Sequence, residues 1–241
     1  MKKTLHTILL AVLMLTASLW QATPASAATT SFKFLHAAPD GAAYDFYLDD
    51  AKMTTLAFTQ FSSDVSASVA THQIRVFPAG TTATPVLAFT VPFGAYHKYT
   101  VVVAGRQATG LRPVVLTEVP TPVRRYFRIR VVNLDPDQPQ PIELINISNR
   151  LIIPNVAFTA NKYATLPSGA GSYHFLVRVV GNPTPFVDLP PATFESRKSY
   201  TLWVYKTSLA ANAAAVQRAL PEMNLPNVKQ FQPNVFTLTQ D

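Results

Sequence analysis

The side chains in the first half of the chain that are best suited to chemistry are His36, Asp40 and Asp45, which lie close together. One imidazole and two carboxylates are the groups from which a metal site or an acid–base pair is built. The stretch that holds them returns later in the chain, and there Asn133 stands in the place of His36. Because an amide is a poor metal ligand and a poor base, the repeat favours a structural role for these side chains.

Both copies of this stretch keep a Pro-Asp pair. The proline presets one backbone angle of a turn, and the aspartate accepts hydrogen bonds from nearby backbone N–H groups. We therefore predict a turn that is tied down by its own side chains, and neither a metal site nor a catalytic site. The residues of this structural turn motif are His36, Pro39, Asp40, Asn133, Pro136 and Asp137.

A second candidate is the basic run at residues 124–130, with the sequence RRYFRIR. Strand alternation places Arg128 and Arg130 on the solvent face, while Arg124 and Arg125 come at the junction of two domains. Guanidinium groups hold phosphate or uronate groups through paired hydrogen bonds, so the four arginines predict an anion-binding surface. The open alternative is a solvated strand face that binds nothing.

Motifs of nucleophilic catalysis and of phosphate binding are absent from the sequence. It contains no Gly-x-Ser-x-Gly elbow, no Ser-x-x-Lys and no glycine-rich phosphate loop. The chain has no cysteine, which removes disulfide and thiol chemistry. We therefore predict a protein that is not an enzyme and that carries no cofactor and no metal.

The elements that position these residues are alternating strands that occur twice. Residues 32–37 and 127–133 lead into the two Pro-Asp turns, and Ala-Phe-Thr follows each unit, at 57–59 and again at 157–159. A tyrosine begins a late strand in each copy, Tyr99 and Tyr200, and its hydroxyl is expected to bond back to upstream backbone, as in immunoglobulin-like sandwiches. Such a period is typical of two copies of one domain.

Each copy has about seven short strands with turn residues between them, which is typical of a sandwich. The predicted fold is all-β, with two tandem immunoglobulin-like antiparallel β-sandwich domains. An alanine-rich run before the last strand of the second copy, with Pro221 as its stop, predicts a helical insertion near 208–220. The predicted boundaries are a first repeat at 28–119, a linker at 120–123 and a second repeat at 124–241.

Residues 1–27 have the three-part pattern of a secretory signal peptide. Two lysines precede an apolar core, and Ala25-Ser26-Ala27 forms a small-residue cleavage site, so cleavage is expected between Ala27 and Ala28. Later segments are too interrupted by proline and charge to span a membrane. The expected location is secreted, periplasmic or in the cell envelope, with no transmembrane segment after signal removal.

The formal net charge of +7 is unevenly distributed. Residues 28–122 carry six basic and six acidic side chains, whereas residues 123–241 carry twelve and seven. A charge excess in one half indicates an anionic partner or a solvated face. The partners we predict are an anionic polysaccharide or another envelope protein, and no specific nucleic acid.

The sequence HAAPD at 36–40, followed by DFY at 45–47, resembles a secreted bacterial family known as domain of unknown function forty-three ninety-seven. The resemblance extends over nearly the whole mature chain. It implies tandem β-sandwich domains behind a signal peptide and an uncharacterised function. The second copy departs from the family pattern, since Asn133-Leu134-Asp135 stands where His-Ala-Ser is usual.

Together these features predict a non-enzymatic secreted module of the cell envelope or extracellular matrix, acting as a binding or structural pair of domains. The alternative is an accessory protein of exopolysaccharide modification or assembly. That alternative is suggested by a weaker similarity to a periplasmic accessory protein of alginate acetylation, which is also a pair of β-sandwiches.

Overall fold

The computed structural model describes residues 28–118, 120–205, 228–229 and 236–240, with side chains up to residue 205. Within these residues all regular secondary structure is β-strand, which confirms the predicted all-β class. The strands of the first repeat are β1 (Thr29–Ala37), β2 (Tyr44–Leu48), β3 (Ala51–Leu56), β4 (Val65–Ser68), β5 (Thr71–Pro78), β6 (Leu87–Pro92), β7 (Lys98–Arg106) and β8 (Gly110–Thr117). Those of the second are β9 (Tyr126–Asn133), β10 (Ile142–Asn146), β11 (Leu151–Val156), β12 (Asn161–Pro167), β13 (Phe175–Val179), β14 (Pro185–Asp188), β15 (Ser199–Val204), β16 (Val228–Lys229) and β17 (Phe236–Gln240).

The strands form four sheets, two in each repeat. Sheet A has the order β4-β1-β7-β8 and sheet B the order β3-β2-β5-β6. Sheet C, β12-β9-β15-β17-β16, and sheet D, β11-β10-β13-β14, reproduce the same order in the second repeat, with β17 in the place of β8. The duplication visible in the sequence is therefore also a duplication of strand order.

Two sheets are mixed, which corrects the prediction of purely antiparallel sandwiches. β1 runs parallel to β7 in sheet A, and β9 runs parallel to β15 in sheet C. Between the members of each pair the chain builds strands of the opposite sheet, and this long crossover is what allows parallel neighbours. Alternation along a strand reports its buried face and not the direction of its neighbour, so the sequence did not reveal this feature.

Each pair of sheets encloses a hydrophobic core. The inward positions of β1 and β9 carry Phe32 and Phe34 in the first repeat, and Phe127 and Ile129 in the second, all of them buried. Burial of such a side chain contributes about 1.5–3 kcal/mol to the free energy of unfolding. Each repeat therefore buries one face of its alternating strands in a core of its own.

A third core lies between the repeats, where sheet A packs against sheet C. We call it the joint, and its buried residues are Leu35, Ala37, Val102, Ala104, Val114, Leu116, Val132, Leu134, Trp203 and Tyr205. The prediction that Arg128 and Arg130 lie on a solvent face of their strand is therefore wrong. The second face of these sheets is apolar over the central strands, and that surface is buried by its counterpart in the other repeat.

Contacts across the joint fix the direction of its strands. Arg106 at the end of β7 pairs with Asp137, which follows the end of β9. Thr117, which lies opposite the start of β7, instead contacts Arg130 near the middle of β9, seven residues before Asp137. β7 and β9 therefore point the same way. Since β1 is parallel to β7 and β15 is parallel to β9, all four strands begin at one end of the molecule, here called the entry end.

The last strands of the two repeats pair in the same way. β17 is antiparallel to β15, as β8 is to β7. Tyr99 faces Thr117 and Tyr200 faces Gln240, so Thr117 and Gln240 are equivalent positions that lie 123 residues apart in the sequence. The predicted helix near 208–220 lies outside the described residues.

The predicted signal peptide at residues 1–27 also lies outside the described residues, so the expected cleavage at Ala27 and Ala28 stays a prediction. In the part of the chain that the structure describes, no helix is long and apolar enough to cross a membrane.

Candidate functional site

His36 is fully buried at the end of β1, and both of its ring nitrogens are occupied. Nδ1 accepts a hydrogen bond from the backbone N–H of Ala38 at 3.2 Å, and Nε2 donates to the carbonyl of Ala42 at 2.9 Å. The ring stacks on Tyr44 with centroids 4.4 Å apart. Burial lowers the pKa of His36, against the hydrogen bond to Ala42, so the imidazole is neutral at physiological pH. Its nitrogens are used to hold the turn.

Asn133 makes one equivalent bond in the second repeat, as acceptor, while its donor bond goes to a different part of the repeat. Its Oδ1 accepts from the backbone N–H of Asp135 at 3.1 Å, and its Nδ2 donates to the carbonyl of Val156 at 3.1 Å. In both copies the side chain thus bonds the N–H two residues ahead. This shared acceptor explains how an imidazole and an amide can occupy the same position.

The two aspartates of the Pro-Asp turns have different partners. Asp40 accepts from the backbone N–H groups of Gln107 and Ala108 at 2.9 and 3.2 Å. Desolvation acts to raise the pKa of Asp40, but these bonds outweigh it and the pKa is lowered. Asp137 instead accepts from Arg106 of the first repeat. Within the described residues no group of three or more His, Asp or Glu side chains is arranged to hold a metal ion.

Arg130 lies in the joint, which corrects its placement on the solvent face. It is 3% exposed. Nε donates to Thr201 Oγ1 at 3.0 Å, Nη1 donates to the carbonyl of Thr117 at 2.8 Å, and the guanidinium lies 5.8 Å from the ring centroid of Trp203. Its position is inaccessible to a polymer because sheet A covers this face of sheet C.

Arg128 is half-buried and holds the linker between the repeats. Nη1 donates to the carbonyl of Pro120 at 2.5 Å, and Nε donates to Thr165 Oγ1 at 3.1 Å. The guanidinium also lies over the ring of Tyr163, 4.8 Å from its centroid. Arg130 thus connects the repeats and Arg128 attaches the second repeat to the linker, so the predicted patch of four arginines is not one exposed surface.

Arg124 and Arg125 are exposed, and the structure brings two further cations to them. The backbone N–H of Arg125 donates to Ser196 Oγ at 2.8 Å, and that of Arg197 donates to the carbonyl of Tyr126 at 2.8 Å. We call the resulting group the basic cluster: Arg124, Arg125, Arg197 and Lys198. It lies at the entry end of the second repeat.

The positive charges of the basic cluster are balanced by few acidic side chains. Among the described residues none of its four side chains forms a salt bridge, in contrast to Arg75, Arg106 and Arg178. One exposed acid, Glu195, lies in the same loop. Sequence reasoning missed Arg197 and Lys198 because they follow the first two arginines by some seventy positions. Their place before Tyr200, a tyrosine already singled out, is the signal that points to them.

The loops that enter β7 and β15 are built in the same way. Tyr99 Oη accepts from the backbone N–H of Gly94 at 2.9 Å, and Tyr200 Oη accepts from that of Glu195 at 3.1 Å. These bonds agree with the back-bonding expected for the two tyrosines. Between the bonded residues, Tyr96 and Arg197 adopt left-handed backbone conformations with φ of 62° and 64°, so the two loops present their side chains from equivalent positions.

Ser68, His72 and Asp49 have the connectivity of a hydrolase triad, yet their geometry does not allow that chemistry. His72 Nδ1 lies 2.9 Å from Asp49 Oδ2, and Nε2 lies 3.0 Å from the carbonyl of Ser68 and 3.1 Å from its hydroxyl. A carbonyl only accepts, so Nε2 carries a proton and is not a base toward the serine. The hydrogen bond to Asp49 raises the pKa of His72, which favours the doubly protonated ring.

Comparison with known proteins gives one family match and several distant structural similarities. A model of the family described as "Domain of unknown function (DUF4397)" matches residues 30–141. No curated protein matches the chain significantly. The expectation that this resemblance covers nearly the whole mature chain is wrong, because the match ends before β10. The departure at Asn133-Leu134-Asp135 lies close to the point where it ends.

Among solved structures, the chain is similar to CBMbc, a family CBM26 module from Eubacterium rectale Amy13K crystallised with maltoheptaose. The identity is 10% and the TM-score 0.24, over 73% of this chain and 91% of that one. It is also similar to the Bacillus anthracis TIE protein, with 12% identity and a TM-score of 0.21, over 70% of this chain and 31% of that one. TM-scores this low establish neither a shared fold nor a shared function.

Proposed function

We propose that the protein is a non-catalytic module that acts outside the cytoplasm, in the cell envelope or extracellular matrix, and binds an anionic polysaccharide. The export pattern of residues 1–27 supports the location. The hydrogen bonds of His36 and His72 support the absence of catalysis, since neither ring has a nitrogen available as a base.

The observation that carries the ligand class is the convergence of Arg125 and Arg197. Two segments far apart in sequence are bonded backbone to backbone and backbone to side chain, so that their exposed arginines occur side by side. Both residues adopt left-handed conformations, with φ of 72° and 64°. Non-glycine residues seldom adopt this geometry without a structural or functional reason.

The chemistry of the cluster fits carboxylate or sulfate groups that repeat along a chain. A guanidinium presents a planar fork of donors that matches a carboxylate or sulfate edge. Three exposed arginines and the half-buried Lys198 at the end of a sandwich also produce a local positive potential, which is screened by salt. A uronate polymer or a sulfated glycan supplies many such groups to one surface.

Elution from immobilised heparin or alginate along a salt gradient, with residues 28–241 as the protein, tests the proposal. We expect retention at low salt that falls steeply toward physiological salt, because charge attraction over more than a Debye length is lost. The double variant Arg125→Gln/Arg197→Gln should elute at clearly lower salt. Its melting temperature should change little, because both side chains are exposed.

The matched control is Lys162→Gln, which removes one exposed charge from the far end of the same sandwich. It should elute like the wild type, and a neutral dextran column should retain neither protein. Elution of the double variant at the wild-type salt concentration would overturn the proposal. An equal shift in the elution salt concentration of Lys162→Gln would mean that retention depends only on the net charge of the protein.

A further inference from the structure

Tyr96 is the most exposed large apolar side chain of the described residues, with 99% of its surface accessible. Tyr96 occupies the position in the first repeat that Arg197 of the basic cluster occupies in the second. Each lies two residues after the residue that bonds the loop tyrosine, which is Gly94 in one repeat and Glu195 in the other. An aromatic ring held out in a strained backbone conformation gains nothing from its own fold.

The loop that holds Tyr96 is fixed by two bonds to the sandwich. Gly94 donates to Tyr99 Oη at 2.9 Å, and the carbonyl of His97 accepts from Thr30 Oγ1 at 2.6 Å. The exposed side chain therefore projects from an ordered frame. A contact made from such a frame costs less conformational entropy than one made from a free loop.

Tyr96 and the basic cluster lie at the same end of the molecule. The loops that carry them enter β7 and β15, and both strands begin at the entry end because the joint aligns β7 with β9. β7 lies in sheet A and β15 in sheet C, which pack face to face. Facing sheets are about 10 Å apart, so the two loops stand on the order of 10–20 Å from one another.

We infer that the two repeats bind one polymer together, with Tyr96 as a stacking platform for a sugar ring while the basic cluster holds its acidic groups. The inference rests on the proposed function and extends it from one surface to two. The C–H groups on the face of a pyranose ring carry slight positive charge, and the face of a tyrosine ring is electron-rich. His97 and Lys98, both exposed, add polar contacts beside the ring.

Two of the nearby acids of the first repeat are paired, whereas Glu118 is exposed, and its backbone N–H donates to the carbonyl of Lys98 at 2.8 Å. Asp49 is bonded to His72, and Asp50 pairs with Arg75 at 2.5 Å. The surface between the loops is crossed by the linker, where Val123 is 71% exposed. A chain that runs from Tyr96 to Arg125 would therefore pass over apolar and cationic groups in succession.

Affinity for alginate oligomers of increasing length, measured by isothermal titration with residues 28–241, tests the inference. Tyr96→Asn removes the ring, and asparagine tolerates the left-handed conformation. We expect this variant to bind long oligomers roughly threefold to tenfold more weakly than the wild type. Its affinity for a disaccharide that reaches only the basic cluster should be unchanged. Tyr96→Phe, which keeps the ring, should restore wild-type affinity for long oligomers.

The outcomes separate this inference from the proposed function. If Arg125→Gln/Arg197→Gln weakens binding while Tyr96→Asn does not, the basic cluster acts alone and the inference is wrong. If the wild-type protein binds no oligomer of any length, the proposed function itself fails. If Tyr96→Asn weakens the binding of disaccharides and long chains equally, the ring belongs to the same subsite as the cations, and the two-repeat arrangement is refuted.

Discussion

Arg106 and Asp137 form an ion pair that connects the β7–β8 hairpin of the first repeat to the Pro-Asp turn of the second, with Arg106 Nε donating to Oδ1 at 2.6 Å. The equivalent aspartate, Asp40, binds the backbone N–H groups of that hairpin in its own repeat. One hairpin is thus held by the aspartates of both repeats. Asp137 therefore bonds a residue of the first repeat, whereas Asp40 bonds within its own repeat.

We expect Asp137→Ala to lower the free energy of unfolding by less than about 1 kcal/mol, because ion pairs exposed at this level are weak. The side chains of Arg106 and Asp137 are 29% and 36% exposed. Asp40→Ala should cost more, about 1–3 kcal/mol, since two backbone donors lose a charged acceptor. Urea unfolding at low and high salt measures both changes, and only the effect of Asp137→Ala should shrink in salt. Equal costs would contradict this distinction.

Arg130→Met is expected to destabilise the protein by about 2–4 kcal/mol, because the carbonyl of Thr117 and the hydroxyl of Thr201 lose buried donors. Arg130→Lys keeps the charge but cannot replace the fork of donors, and should recover only part of the loss. The midpoint of urea unfolding reports both. A solvent-facing Arg130 would give a change within about 0.5 kcal/mol for either variant.

His72 should make stability depend on pH above its ordinary pKa of 6.5. The hydrogen bond to Asp49 raises the pKa of His72 above its ordinary value of 6.5, so the folded protein binds the proton more tightly than the unfolded chain. The stabilisation is fully present below pH 6.5 and is lost as the pH rises through the folded-state pKa. The difference in melting temperature between wild type and His72→Gln should therefore shrink from about pH 5 to about pH 9. A constant difference would mean that the pair is not charged.

His36 should act in the opposite direction. Burial lowers the pKa of His36 below 6.5, so the unfolded chain binds the proton more readily. Its contribution to stability is complete above pH 6.5 and declines as the pH falls toward the folded-state pKa. His36→Asn, which copies the residue of the second repeat, should remove this decline on the acid side. An unchanged acid-side slope in thermal melts of the variant would contradict the assignment.

The joint should hold the repeats together without a covalent link. A protease site placed at residues 120–123 and then cleaved should leave one species of unchanged hydrodynamic size, because the joint buries Leu35, Val102, Trp203 and their neighbours. Leu35→Asp in the cleaved protein should release the two fragments, since it places an unpaired charge in that core. Size-exclusion chromatography with light scattering distinguishes the two results. Separation of the fragments on cleavage alone would show that the linker carries the contact.

The strands were predictable because alternation identifies one buried face, as Phe32 and Phe34 show. The joint was not predicted, although its signal was present. Leu35 and Ala37 on β1, Val132 on β9 and Leu134 just after it are apolar, and they alternate with the residues of the inward face. A strand that is apolar on both faces is buried on both. The pattern of Arg128 and Arg130 masked this signal, because arginine usually marks a solvated face.

The basic cluster was predicted only in part. Arg124 and Arg125 adjoin in sequence, whereas Arg197 reaches them through a loop whose position depends on the pairing of β15 with β9. Parallel pairing across a long crossover leaves no local signature in the sequence, so this proximity becomes visible only in three dimensions. For the same reason, the sequence does not show that Tyr96 and Arg197 lie at the same end of the molecule. That conclusion depends on the strand directions in both sheets.

The outer edges of sheets A and C are closed by different means. In the second repeat β16 pairs with β17 and covers it. In the first repeat, among the described residues, no strand pairs with the outer side of β8, but Pro113 lies in the middle of that strand and offers no N–H. A strand from another molecule therefore meets an incomplete ladder at the edge of β8, while at β17 the positions of Leu238 and Thr239 are already paired. Stacking of copies into an extended sheet, the usual hazard for a β-protein at high local concentration, is disfavoured at the edge of β8.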